Sequence, residues 1–95
     1  MSEKLAEIKE LAIPILRDSR AVEAYLFGSV ARDEAGPESD VDILVRFDKP
    51  RGLFAFVHTK HELEDALGRK VDLVEMGALR KEFKPYVDRD KVRIL

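Results

Sequence analysis

Five residues of this chain have the types and spacing to handle a phosphorylated substrate. Gly28 and Ser29 stand together, ten residues intervene, and Asp40 and Asp42 follow with Val41 between them. Carboxylates at i and i+2 of a strand leave the same face, and two adjacent negative charges repel unless a cation neutralises them. Hard oxygen ligands of this kind suit Mg²⁺ or Mn²⁺, which complete their shells with water and substrate phosphates. Asp72 lies in a later apolar run and joins the pair if its strand runs parallel beside theirs; three clustered carboxylates frame a two-metal phosphoryl-transfer site. Gly28 lets the backbone approach a phosphate closely, and Ser29 adds a hydroxyl and an N–H. Arg32, one helical turn beyond Ser29, is balanced between a bidentate phosphate contact and an ordinary surface charge.

Positioning these groups requires strands on both sides of the motif. The run Ala21 to Phe27, rich in Val, Tyr, Leu and Phe, reads as a strand that Gly28 ends. Val41 to Phe47 is the clearest strand, with Val41, Ile43, Val45 and Phe47 on one face and Asp40, Asp42, Leu44 and Arg46 on the other. Between them, Val30 to Glu34 suits a short helix and the stretch from Ala35 to Ser39 a turn, because Gly36 and Pro37 stop regular structure. Lys70 to Glu75 gives a third strand carrying Asp72.

Helices supply the cover. Ser2 to about Asp18 is amphipathic, with Leu5, Ile8, Leu11, Ala12, Ile15 and Leu16 at three- and four-residue spacings, Ser2 as a cap and Pro14 as a bend. Leu53 to Leu67 repeats the pattern with Leu53, Phe56, Val57, Leu63 and Leu67, and Gly68 stops it. A last short helix is expected from Ala78 to about Val87, interrupted by Pro85, and the tail Lys91 to Leu95 alternates like an edge strand. Strands two and three, joined through a helix, should be parallel, and strands one and two antiparallel. The expected fold is α+β: a small mixed sheet of core order 1-2-3 with helices packed against it, one domain over residues 1–95.

The chain has 95 residues, 45% apolar and 38% charged, with a net charge of −2. Its pI of about 5.7 argues against a long electrostatic footprint on nucleic acid. The absence of Cys excludes disulfides and thiolate metal sites. No run is long enough to span a membrane and MSEKLAEIKE lacks a signal-peptide core, so a cytoplasmic protein is expected. His58 and His61 share a helix face, yet nothing around them resembles a zinc signature, and a solvated face is the better reading. Phe54, Phe56 and Phe83 read as core or interface rather than base-stacking platforms. The basic bias of Arg80, Lys81, Lys84, Arg89, Lys91 and Arg93 is partly offset by Glu82, Asp88 and Asp90, and reads as mixed surface.

Taken together, Gly28-Ser29, the ten-residue interval, Asp40-Val41-Asp42 and the later Asp72 resemble the signature of the DNA polymerase β-type nucleotidyltransferases. The wording GSVAR…SDVDILV and the short length resemble the minimal nucleotidyltransferase (MNT) subfamily, over roughly Ala24 to Glu75. The resemblance implies catalytic and metal-binding roles for Asp40, Asp42 and Asp72, with two Mg²⁺ ions held on ATP. It implies phosphate and nucleotide contacts from Gly28 and Ser29, with Arg32 and Ser39 counted beside them. It also implies an antitoxin that transfers AMP to a hydroxyl, a tyrosine in particular, of an all-helical HEPN partner toxin. Larger relatives carry an added helical domain for the acceptor, and a partner protein would supply that surface here. Two other readings stay open: an antitoxin that neutralises its partner by binding alone, and a nucleotidyltransferase acting on a small molecule or an RNA end.

Overall fold

The computed structural model describes residues 3–34, 36 and 39–95. The expected cap at Ser2 and the turn residues Ala35, Pro37 and Glu38 lie outside that set. In order the chain forms α1 (Glu3–Asp18), β1 (Ala21–Phe27), α2 (Gly28–Ala31), β2 (Val41–Phe47), α3 (Leu53–Leu67) and β3 (Val71–Glu75). A 3₁₀ turn (Met76–Ala78), α4 (Lys84–Asp90) and β4 (Val92–Arg93) complete it. The strands make one mixed sheet in the order β3-β2-β1-β4. β1 runs antiparallel to both β2 and β4, and β2 runs parallel to β3. The expected adjacency of the first three strands is therefore present, and the tail adds a short fourth strand beside β1.

One face of the sheet carries the main core. Val41, Ile43 and Val45 of β2 are fully buried there, with Leu5, Ile8, Ala12 and Leu16 of α1 and Leu63 of α3 packed into the same cluster. The α1 residues recur every three or four positions, so one stripe of the helix faces the sheet. The helix continues through Pro14, at the cost of one ladder donor. Leu11, expected on the stripe, is instead 41% exposed, and Leu53 at the first turn of α3 is 73% exposed. Both sit at the rim of the apolar arc, where a helix face turns to solvent. Truncating Leu63 to alanine, deep in this layer, is expected to cost about 2–5 kcal/mol in urea unfolding, because a cavity between helix and sheet cannot collapse fully.

The α1–α3 contact also contains a polar pin. Thr59 is fully buried; its Oγ1 donates to Ser19 Oγ at 2.9 Å, and Ser19 donates in turn to the Ile15 carbonyl at 2.9 Å. Burial of the two hydroxyls is thus compensated by hydrogen bonds.

The opposite face of the sheet is covered as well, by the segment after β3. Leu44 points there and is only 4% exposed, with Met76 and Leu79 lining the space beside it. That is why Ile43-Leu44-Val45 reads as an unbroken apolar run. Within this segment the last helix differs from expectation. It begins at Lys84 rather than near Ala78, with Pro85 in its first turn. Proline lacks the N–H that a helix interior needs, while the first turn has no partner for that N–H anyway. The residues before it form turns. The short helix after β1 likewise starts at Gly28 and ends at Ala31, earlier than Val30 to Glu34.

Candidate active site

Strand register assembles the site. β1 sets Phe27 opposite Asp42, and β3 sets Asp72 opposite Asp42 from the other side. Paired positions on neighbouring strands lie about 4.8 Å apart on the same face, so the carboxylates of Asp42 and Asp72 are neighbours over the edge of the sheet. Asp40 sits just before β2 and is exposed, as is Asp72, while Asp42 is half-buried between them.

The chain leaves β1 directly against Asp42. Gly28 has φ of +72°, and a Cβ placed on it would lie 2.2 Å from Asp42 Oδ2. Glycine is required here twice, by the left-handed backbone and by the carboxylate filling the space a side chain would take. The turn is closed by its own backbone: the Gly28 carbonyl accepts from Arg32 N–H at 3.1 Å and the Ser29 carbonyl from Glu34 N–H at 2.9 Å. Gly28 and Ser29 therefore present their backbone beside the acidic pair. Ser39 joins the loop that leads into Asp40, where its Oγ accepts from Gly36 N–H at 2.9 Å.

Burial, and then the carboxylates of Asp72 and Asp40, push the Asp42 pKa up to about 6, with Arg32 opposing them. The site thus holds more negative charge than Arg32 offsets, which a cation would relieve. Among the described residues no group of three or more His, Cys, Asp or Glu side chains is gathered closely enough to hold a metal. A hard divalent ion suits that arrangement nonetheless. Mg²⁺ is commonly held by one or two carboxylates and takes its remaining ligands from water and substrate phosphates.

Arg32 is engaged elsewhere. Its Nη1 donates to Asp90 Oδ2 at 2.7 Å and its Nε to Glu34 Oε2 at 3.0 Å. Asp90 stands at the end of α4 and its side chain is only 10% exposed. The two residues lie at one end of a cleft of about 320 Å³ whose walls are Phe27, Val74, Leu79, Phe83, Tyr86 and Val87, with Gly28 and Asp72 on its polar side. Phe83, Tyr86, Val87 and Asp90 fall at helical spacing, one face of the last turns of the chain. That spacing was the available signal for Asp90, which charge counting alone reads as surface. Phe54 is 91% exposed at the far end of the fold, and His58 pairs with Glu62 across one turn at 3.0 Å on an open surface.

Residues 8–95 match the family described as "Nucleotidyltransferase domain". This chain belongs to the nucleotidyltransferase family. It is 38% identical over 89 residues to a candidate protein adenylyltransferase of Methanocaldococcus jannaschii, covering 94% of this chain and 96% of that protein. It is 40% identical over 72 residues to the protein adenylyltransferase MntA of Thermococcus cleftensis, covering 76% of this chain and 73% of the relative. Among solved structures, a minimal nucleotidyltransferase superposes with a TM-score of 0.81 at 36% identity, covering 95% of this chain and 92% of that one. A toxin–antitoxin complex with AMP-PNP contains a chain that superposes with a TM-score of 0.82 at 26% identity, covering 92% and 72% respectively.

The nucleotidyltransferase is an enzyme of mixed α+β architecture, and the motif Gly28 to Asp42 lies inside the matched region. Among the described residues of this nucleotidyltransferase, no helix is long and apolar enough to cross a membrane.

Proposed function

We propose that this protein is a Mg²⁺-dependent adenylyltransferase that moves AMP from ATP to a tyrosine hydroxyl of a HEPN partner toxin and so acts as its antitoxin. The observation that carries this reading is the packing of Gly28 against Asp42 with Asp72 in register beside it. It joins a backbone surface fit for phosphates to a charge-rich carboxylate set. The relatives support the transferred group and the acceptor class, since those named are protein adenylyltransferases. The toxin–antitoxin structure with AMP-PNP supports the pairing and the nucleotide.

In this reading Gly28 and Ser29 bind the β- and γ-phosphates of ATP through backbone N–H groups and the Ser29 hydroxyl. Asp40 and Asp42, with Asp72 beside them, would hold the divalent ions, and bound there the ions would supply charge neutralisation at the α-phosphate. Asp72 accepts the proton of the acceptor hydroxyl. The hydroxyl oxygen bonds to the α-phosphorus, the bond to the bridging oxygen breaks, and pyrophosphate leaves with that electron pair. Positioning and charge stabilisation provide most of the acceleration in such a transfer. Residues 1–95 act as one domain, in the cytoplasm, and the partner provides the acceptor surface.

The test is to incubate the protein with a HEPN partner protein, Mg²⁺, and ATP labelled at either the α- or the γ-phosphate. Label should reach a tyrosine of the partner from α-labelled ATP only. Labelling from the γ-position, or equal labelling by Asp42→Asn, would refute the assignment.

A further inference from the structure

The cleft in front of Asp72 has a wall that an ion pair ties to the turn after β1. Val87 is the buried residue of α4, and the Arg32–Asp90 contact at the end of the helix links positions 58 residues apart. A carboxylate that is only 10% exposed, and that accepts from Arg32 at 2.7 Å across the fold and from Arg89 of its own helix at 3.4 Å, is costly to strip of the tie that reaches beyond its helix. Because Phe83, Tyr86 and Val87 project from the helix that Asp90 ends, fixing Asp90 also fixes the apolar wall they make.

The charge of the cleft limits what can enter. Arg32 is the cation among its lining residues, and its guanidinium is already shared by Asp90 and Glu34, while Asp72 and Asp90 bring two carboxylates. Away from the Gly28 turn, where the phosphates of ATP are placed, a further anion is disfavoured in the cleft. An uncharged aromatic ring with a hydroxyl fits, since its ring meets the apolar walls and its hydroxyl reaches Asp72.

We propose that this cleft receives the acceptor tyrosine, and that Asp90 is a positioning residue that holds α4, through Arg32, at the spacing the ring requires. The inference rests on the adenylyltransferase reading above and adds where the acceptor binds. Asp90→Asn keeps the shape of the side chain and removes the charge, so the full-length variant tests it in two independent ways. Hydrogen exchange of the backbone amides of residues 84–90 should be at least about ten-fold faster in the variant, as expected when a local tether is lost. In transfer to the HEPN partner, KM for the partner should rise at least about ten-fold while KM for ATP stays within about two-fold, a split that general destabilisation would not produce. Unchanged exchange, or a rise in KM for ATP matching that for the partner, would overturn the proposal. A wild-type protein that transfers nothing refutes the adenylyltransferase reading itself, and the exchange comparison still decides whether Asp90 fixes α4.

Discussion

Replacing Gly28 by alanine is expected to abolish most of the transferase activity while leaving a folded protein. Two independent costs meet at this residue. Its φ of +72° is strained for any residue with a Cβ, at about 1–2 kcal/mol. The new methyl would also stand 2.2 Å from Asp42 Oδ2, so the carboxylate must turn away or the turn must open. Neither relaxation preserves the site, because Asp42 is wedged between Phe27 and Asp72 by strand register. Displacing a positioned group by about 1 Å is enough to lower turnover by about 100-fold, and that is the loss expected. Unfolding in urea should show a drop of about 1–3 kcal/mol. Alanine at Gly52, where a Cβ meets nothing within 4 Å and φ is −69°, should change neither quantity appreciably. A Gly28→Ala protein with wild-type turnover would mean that the turn does not shape the site.

The second large effect is a trade between stability and activity at Asp42. Asp42→Asn should lower transfer by about 100- to 1,000-fold, the scale on which loss of one preorganised electrostatic group acts. The same substitution should make the metal-free protein more stable near neutral pH. The sign follows from the direction of the pKa shift. Asp42 is raised from 3.8 to about 6 by burial and by Asp72 and Asp40, so between those values the folded state binds more protons than the unfolded one. Stability therefore falls as pH rises from about 4 to 6, and the penalty is complete above it. Asparagine carries no such penalty. In EDTA at pH 8 the variant should melt at least about 4 °C above wild type, the shift that about 1 kcal/mol produces in a domain of this size. At pH 4 the two melting temperatures should converge. Equal melting temperatures at both pH values would show that Asp42 carries no strain of charge.

These two residues were legible in the sequence for a physical reason. A turn that must hold a phosphate calls for glycine, and two carboxylates at i and i+2 call for a strand, so local chemistry and local structure point the same way at Gly28, Asp40 and Asp42. Asp72 required one further step, the parallel pairing of β2 and β3, which the helix between them made predictable. What escaped depends on contacts between distant segments. Arg32 reads equally well as a phosphate ligand or as surface, and only the approach of α4 supplies Asp90 as its partner. The start of α4 was misplaced because Pro85 was read as interrupting a helix, when it stands in the first turn of one. The Ser19–Thr59 pin was invisible since neither residue belongs to an apolar stripe, and their hydroxyls meet only when α1 and α3 pack. Leu44 shares its strand face with Asp40, Asp42 and Arg46, and it is covered because the segment after β3 folds back over it.

The central claim is that this acidic pair and the Gly-Ser turn form a single site for a nucleotide bound with a divalent cation. Calorimetric titration of the nucleotidyltransferase with AMP-PNP, in Mg²⁺ and again in EDTA, tests it most directly. Binding should be strong in Mg²⁺, weaker by at least about 100-fold in EDTA because unscreened phosphates meet Asp40, Asp42 and Asp72, and in Asp42→Asn it should lose most of its dependence on Mg²⁺ and fall well below wild type when Mg²⁺ is present. Equal wild-type affinity with and without Mg²⁺, or undiminished binding to Asp42→Asn in Mg²⁺, would contradict the account.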